Sequence, residues 1–182
     1  MRRIVAAALV AAGCAASAQT APDPPAAADA ASEPLRNWFK DPYFAVRSAV
    51  FGCPVPRGPL GTEADMRRET HSRAERGTSC WLAGRCEKPN AYLYDRAIAD
   101  AVRDRFDASD TLKDASLWVT IQRRIVWVEG CVAPAIDDRT VENVLKGVKD
   151  AELVIVNVTH DPHARPPYAA LAPDDRILPP PP

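Results

Sequence analysis

"VTIQRRIVWVEGCV", residues 119–132, carries two alternating runs separated only by Arg123-Arg124. Val119 and Ile121 alternate with Thr120 and Gln122, and Val126 and Val128 alternate with Ile125, Trp127 and Glu129. A period of two is the pattern of a half-buried strand, so the stretch predicts a tight antiparallel hairpin. Its join lacks the Asn-Gly or Asp-Gly pair that two-residue turns favour. Extending the pattern outward puts Leu117, Val119, Ile121, Val126, Val128 and Val132 on one face. Trp118, Thr120, Ile125 and Trp127 then face the other way.

Helical periodicity flanks the hairpin. Asn90 can cap a helix over 91–106, with Tyr94, Ile98, Ala101, Val102 and Phe106 as its apolar stripe. After the hairpin, Asp137 or Asp138 can cap a second helix, in which Val141, Val144, Leu145 and Val148 fall at i, i+3, i+4 and i+7. Lys146 and Lys149 sit near its end, where the helix dipole favours cations. "ELVIVNVTH" (152–160) reads as a third strand. Its nearly unbroken apolar run predicts burial on both faces, at the centre of the sheet. The fold class is α+β.

The order helix, strand, strand, helix, strand therefore spans residues 92–159. With it come "VWVEGCV" (126–132), read as V-x-V-E-G-x-V, a helix ending in "KGVKD" (146–150), and a last strand carrying Asn157. This set resembles the BON domain of bacterial periplasmic and envelope proteins. The resemblance implies a two-layer αββαβ domain without catalytic residues, bound to phospholipid or joined to other envelope proteins, and contributing to envelope integrity. Members of that family usually have Gly at the hairpin turn, where this chain has Arg123-Arg124.

Outside that core the composition changes. Residues 1–18 have two Arg, a short apolar run and Ala16-Ser17-Ala18, the layout of a cleavable secretory signal. "AAGC" (11–14) alternatively reads as a lipobox, with a lipid anchor on Cys14. Either way the expected location is the periplasm, soluble or lipid-anchored. The run is too short for a transmembrane helix, and no later stretch is longer. Residues 19–35 are Pro/Ala-rich and read as a linker; residues 161–182 end in "ILPPPP" and read as a disordered tail. Between linker and domain, residues 36–90 form a Cys-rich extension. It is mostly irregular, with one polar helix from Glu63, capped by Thr62 and Asp65, to Arg76 before Gly77. The loop "GTSCWLAGRC" (77–86) follows, with Trp81 and Leu82 expected to tuck onto the main domain.

Four cysteines remain beyond Cys14: Cys53, Cys80, Cys86 and Cys131. An even count in an exported chain points to two disulfides, with three connectivities open. The short gap favours Cys80–Cys86 closing locally, which leaves Cys53–Cys131 to tie the extension to the domain. The same spacing is wide for a structural zinc pair, and there is no C-x-x-C motif for redox work.

Charge and motif exclude other classes. The formal net charge is −1, and removing residues 1–18 takes away two Arg and no acid. Such a chain is not built to coat nucleic acid. "HDPH" (160–163) pairs two His around Pro162 at the start of the expected tail, with no rigid element to hold a metal. His71 reads as a solvated helix residue. Gly58 and Gly61 lie among prolines rather than between a strand and a helix, so no phosphate loop is present. No cofactor, metal or catalytic residue is expected, and the chain does not read as an enzyme. The candidate binding surface is Trp118, Trp127, Arg123 and Arg124. Two Trp on an open sheet face would leave an apolar patch that needs a cover. That cover is the Cys-rich half held through Cys131, a protein partner, or a lipid interface whose phosphates meet Arg123 and Arg124.

Overall fold

The structure, a computed structural model, describes residues 34–172 and 177–180. The signal segment 1–18, the Cys14 anchor and most of the 19–35 linker lie outside the described residues. A mixed sheet is built from β1 (Tyr43–Ser48), β2 (Ser116–Gln122), β3 (Ile125–Cys131) and β4 (Leu153–Thr159), in that spatial order. The helices are α1 (Glu63–Ala74), α2 (Thr78–Leu82), α3 (Asp95–Asp107) and α4 (Asp138–Leu145). From residue 91 onward the expected order of helix, strand, strand, helix, strand is present, with a 3-10 turn over Ala91–Tyr94 leading into α3. Asn90 caps that turn by accepting from the Tyr92 N–H, and Asp137 caps α4 by accepting from the Thr140 N–H.

The hairpin pairs in the register its alternation requires, with Val119 opposite Val128 and Ile121 opposite Val126. All six side chains assigned to the helix-facing side are buried, against Ile98, Val102 and Phe106 of α3 and Val141 and Leu145 of α4. Val148 joins them from the turn after α4, which ends three residues earlier than its apolar spacing suggests. Gly130 on β3 lies hard against the backbone of β2. Its φ is +143°, and a Cβ there would stand 2.0 Å from the Ser116 carbonyl oxygen, so only glycine fits.

Arg123 and Arg124 both adopt positive φ, 57° and 68°, the backbone of a two-residue type I′ turn. Non-glycine residues pay for that conformation in sterics, about 1–2 kcal/mol each. Asp95, buried at the start of α3, supplies the compensation: its carboxylate accepts from the Arg123 N–H at 2.9 Å and the Arg124 N–H at 2.8 Å. Hydrogen bonds to a charged partner contribute about 1.5–3 kcal/mol each. A remote carboxylate thus does what Asn-Gly does locally in other hairpins.

Several expectations need correction. β1 comes from the Cys-rich half and pairs antiparallel with β2, so that half contributes a strand to the sheet itself. β4 is an edge strand, parallel to β3, not the central one. Its apolar run follows from having α4 on one side and a partly covered face on the other, and all but Leu153 are half-buried. Trp81 and Leu82 do not tuck in: they are 45% and 72% exposed.

The tail also departs from the disorder expected over 161–182. Tyr168, Ala170 and Ala172 are buried. Ala170 bridges to Pro56, the Arg57 N–H donates to the Ala169 carbonyl at 2.7 Å, and the Leu171 N–H donates to the Val55 carbonyl at 2.9 Å. β5 (Ala170–Leu171) pairs with β6 (Ile177–Leu178). Proline composition favours extended backbone, and here the extended backbone finds a second extended segment, 53–57, to pair with.

The polar helix α1 has no buried residue, as its sequence implies. It docks through Arg73, whose guanidinium pairs with buried Asp41 and stacks between the rings of Phe39 and Tyr92, at 3.9 and 3.7 Å. Gln122 at the end of β2 donates to the same Asp41 at 2.6 Å.

Candidate functional site

The four cysteines form two bridges, Cys53–Cys131 and Cys80–Cys86, the pairing favoured by spacing. Two disulfides suit a chain that matures in an oxidising compartment. Among the described residues no helix is long and apolar enough to cross a membrane, and no group of three or more His, Cys, Asp or Glu is gathered as for a metal ion.

The bridges create two separate regions. The first lies at the hairpin turn, where the Cys80–Cys86 loop faces Arg123 and Arg124 across a cleft of about 250 Å³. Arg76, Lys88, Arg123 and Arg124 line it, with Glu152 as its one acid. Arg124 is committed to structure. It pairs with Glu152 at 2.7 Å, donates from Nε to the Asp150 carbonyl at 2.8 Å, and lies 4.7 Å from the Tyr94 ring. Lys88 approaches the same ring at 4.8 Å and donates to the Leu93 carbonyl at 3.0 Å. Among the described residues, the guanidinium groups of Arg76 and Arg123 make no ion pair. Both also line the adjoining cleft with Tyr92 and Gln122. The only acid of the first cleft is already neutralised, so the cleft presents an excess of positive charge on a chain whose net charge is negative. Exposed Trp81 and Leu82 stand on the loop that forms its rim.

The second region is the sheet face away from the helices. Trp118 and Trp127 are both there and both half-buried. They are therefore neither sealed nor fully open, and Arg123 and Arg124 do not flank them as one patch but belong to the cleft at the turn. Cys131 on β3 ties Cys53 over this face. Around that bridge gather Tyr168, whose hydroxyl donates to the Pro54 carbonyl at 2.8 Å, and Tyr43, whose hydroxyl donates to the Pro56 carbonyl at 2.6 Å. The cover thus comes from residues 53–60 and from the C-terminal segment, not from α1 or the Cys80–Cys86 loop.

Beneath the cover sits Glu129, opposite Trp118 on β2 and Asn157 on β4. Burial pushes its carboxyl up to about 7, and only a hydrogen bond from the Asn157 side chain acts in the other direction. Burial also raises Tyr43, to about 12, and Tyr168, with the nearby Glu129 carboxylate adding to both. Asp95 at the turn is raised to about 6 by burial, opposed by the two backbone N–H groups it holds. In the sequence Glu129 is only one polar residue in an alternating strand. Nothing in single-strand periodicity distinguishes a carboxylate facing solvent from one under a distant loop. No family model matches this chain, and neither the curated proteins nor the solved structures contain a match.

Proposed function

We propose that this protein is an exported, non-enzymatic binding module of the periplasm or cell envelope, and that it binds anionic phospholipid headgroups. The observation that carries the reading is the cleft at the hairpin turn. Arg76 and Arg123 line it without counterions, Lys88 adds charge, and Trp81 and Leu82 project from its rim. Cations beside an exposed Trp match the polar boundary of a bilayer, where phosphates and an aromatic belt coincide. The resemblance of residues 92–159 to the BON domain points the same way.

Vesicle flotation tests it. The protein should float with vesicles containing phosphatidylglycerol, release as salt is raised, and ignore purely zwitterionic vesicles. Arg76→Ala with Arg123→Ala should abolish flotation while the melting temperature stays within a few degrees of the parent. Flotation that is insensitive to salt and to both substitutions would refute the reading.

A second reading is favoured by one observation. β4 ends the sheet, and among the described residues no strand pairs with its outer edge. Leu153 on that edge is 51% exposed. A structural subunit of an envelope assembly would use such an edge to add a partner strand. Failure of flotation together with crosslinking through β4 in envelope extracts would favour it.

A further inference from the structure

The half-covered sheet face holds a second cleft of about 170 Å³, lined by Gly58, Thr120, Gln122, Trp127 and Glu129. Three facts set its chemistry. Thr120 is 6% exposed, and its hydroxyl is buried with no hydrogen-bond partner. Buried hydroxyls are nearly always paired, and leaving one unpaired costs free energy. Gln122 gives one of its two amide N–H groups to Asp41 and keeps its carbonyl oxygen as an acceptor. Glu129 is half-buried with no cation near it. The two phenols that flank it, Tyr43 and Tyr168, spend their protons on the carbonyls of Pro56 and Pro54. Gly58 closes one wall: its φ is +56°, and a Cβ there would come within 2.6 Å of the Tyr43 ring.

Three acceptors remain in the cleft, and its one charged lining residue is negative. The acceptors are a carboxylate without a counterion, an amide oxygen and a hydroxyl, set beside an indole ring. Anions are repelled by this set. A neutral polyol can donate to the same acceptors but leaves the carboxylate without a counterion. A group with several N–H donors and a positive charge satisfies all of them at once, with its cationic end near the face of an aromatic ring. We infer that this cleft binds a small free amine through its primary ammonium group, paired with Glu129, hydrogen-bonded to Thr120 and Gln122, and packed on Trp127. This inference is independent of the basic cleft: the two sites share no lining residue and have opposite charge preference.

The test is an NMR titration of the full mature chain with ethylammonium chloride at constant ionic strength, read on the Trp127 indole N–H. Methyl glucoside serves as the neutral control. Ethylammonium should give a saturable shift, and methyl glucoside none. Affinity should fall by roughly tenfold or more between about pH 8 and about pH 5, because protonating Glu129 removes the pairing charge. Tyr43 and Tyr168, the other titratable groups facing Glu129, are raised above their ordinary values and stay neutral across that window. Asn157 does not titrate. Glu129→Gln keeps the volume and should abolish the shift. Thr120→Val should weaken binding several-fold with the pH dependence intact. Absence of a saturable shift at the higher pH, full binding by folded Glu129→Gln, or equal binding of methyl glucoside would each overturn the inference.

Discussion

The two faces of one sheet are closed in different ways. The helix side is sealed by a contiguous apolar core: Leu117, Val119, Ile121, Val126 and Val128 meet Ile98, Val102, Phe106, Val141 and Leu145, all at or below 1% exposure. The opposite side is covered by two irregular segments, 53–60 and 166–172, joined to the sheet by one disulfide and a few backbone hydrogen bonds. Under that cover lie a carboxylate without a cation and a hydroxyl without a partner. A face built only for stability would have buried apolar groups there, since burying unpaired polar groups costs free energy. One face holds the fold together, and the other gives up stability at positions where a ligand can be held.

The largest effect expected from breaking this comparison is on the helix side. Gly130→Ala forces a methyl against the Ser116 carbonyl and should prevent the native pairing of β2 and β3. Backbone cannot yield as a flexible side chain does, so the cost should exceed about 3 kcal/mol. The check is chemical denaturation followed by circular dichroism, and a variant that unfolds at the parent's midpoint would contradict the assigned close approach.

The next effect separates the covers. Cys53–Cys131 spans 78 residues and Cys80–Cys86 spans 6. In the chain-entropy account, closing the longer loop stabilises by about 4.5 kcal/mol and the shorter by about 2 kcal/mol. Cys53→Ser with Cys131→Ser should therefore destabilise roughly twice as much as Cys80→Ser with Cys86→Ser. It should also raise acrylamide quenching of Trp118 and Trp127, which the second pair of substitutions should leave unchanged. Equal losses from the two pairs would mean that the segment over the open face is held by something other than the disulfide.

The same division decides what the sequence could reveal. The helix side was legible because α3, the hairpin and α4 each carry their own periodicity, and every helix-facing residue repeats at two or at three to four. Even the hairpin turn was legible in place, although Asp95, which makes Arg123-Arg124 tolerable, lies 28 residues away from Arg123 and gives no local signal. The open side was legible only at Cys131, whose bridge announces that something crosses the face. β1 was hidden because "YFAVRS" is short, sits among Pro and Gly, and gains its strand from pairing with β2. The docking of Tyr168 and Ala170 was hidden because a proline-rich end has no period to read. Of the candidate surface, Arg123 and Arg124 line the basic cleft, Arg76 and Lys88 reach it only through the fold, and the two Trp belong to the other region.

The most direct test of the central claim, that the open face holds a half-buried carboxylate without a counterion, is the pH dependence of stability. Glu129 is raised from the ordinary 4.5 to about 7. A carboxyl raised on folding gives stability that is complete below its unfolded value and is lost as pH rises through its folded value. For Glu129 that window runs from about 4.5 to about 7, and the loss amounts to about 3 kcal/mol. Asp95, raised to about 6, has the same sign. Asp65 and Asp137, both lowered, have the opposite sign and act only at more acid pH, where their protonation removes stability. Urea denaturation across this range should show the parent weakening toward neutrality. Glu129→Gln should show a much shallower slope and be the more stable protein near pH 8. Parallel curves for parent and variant would contradict the account.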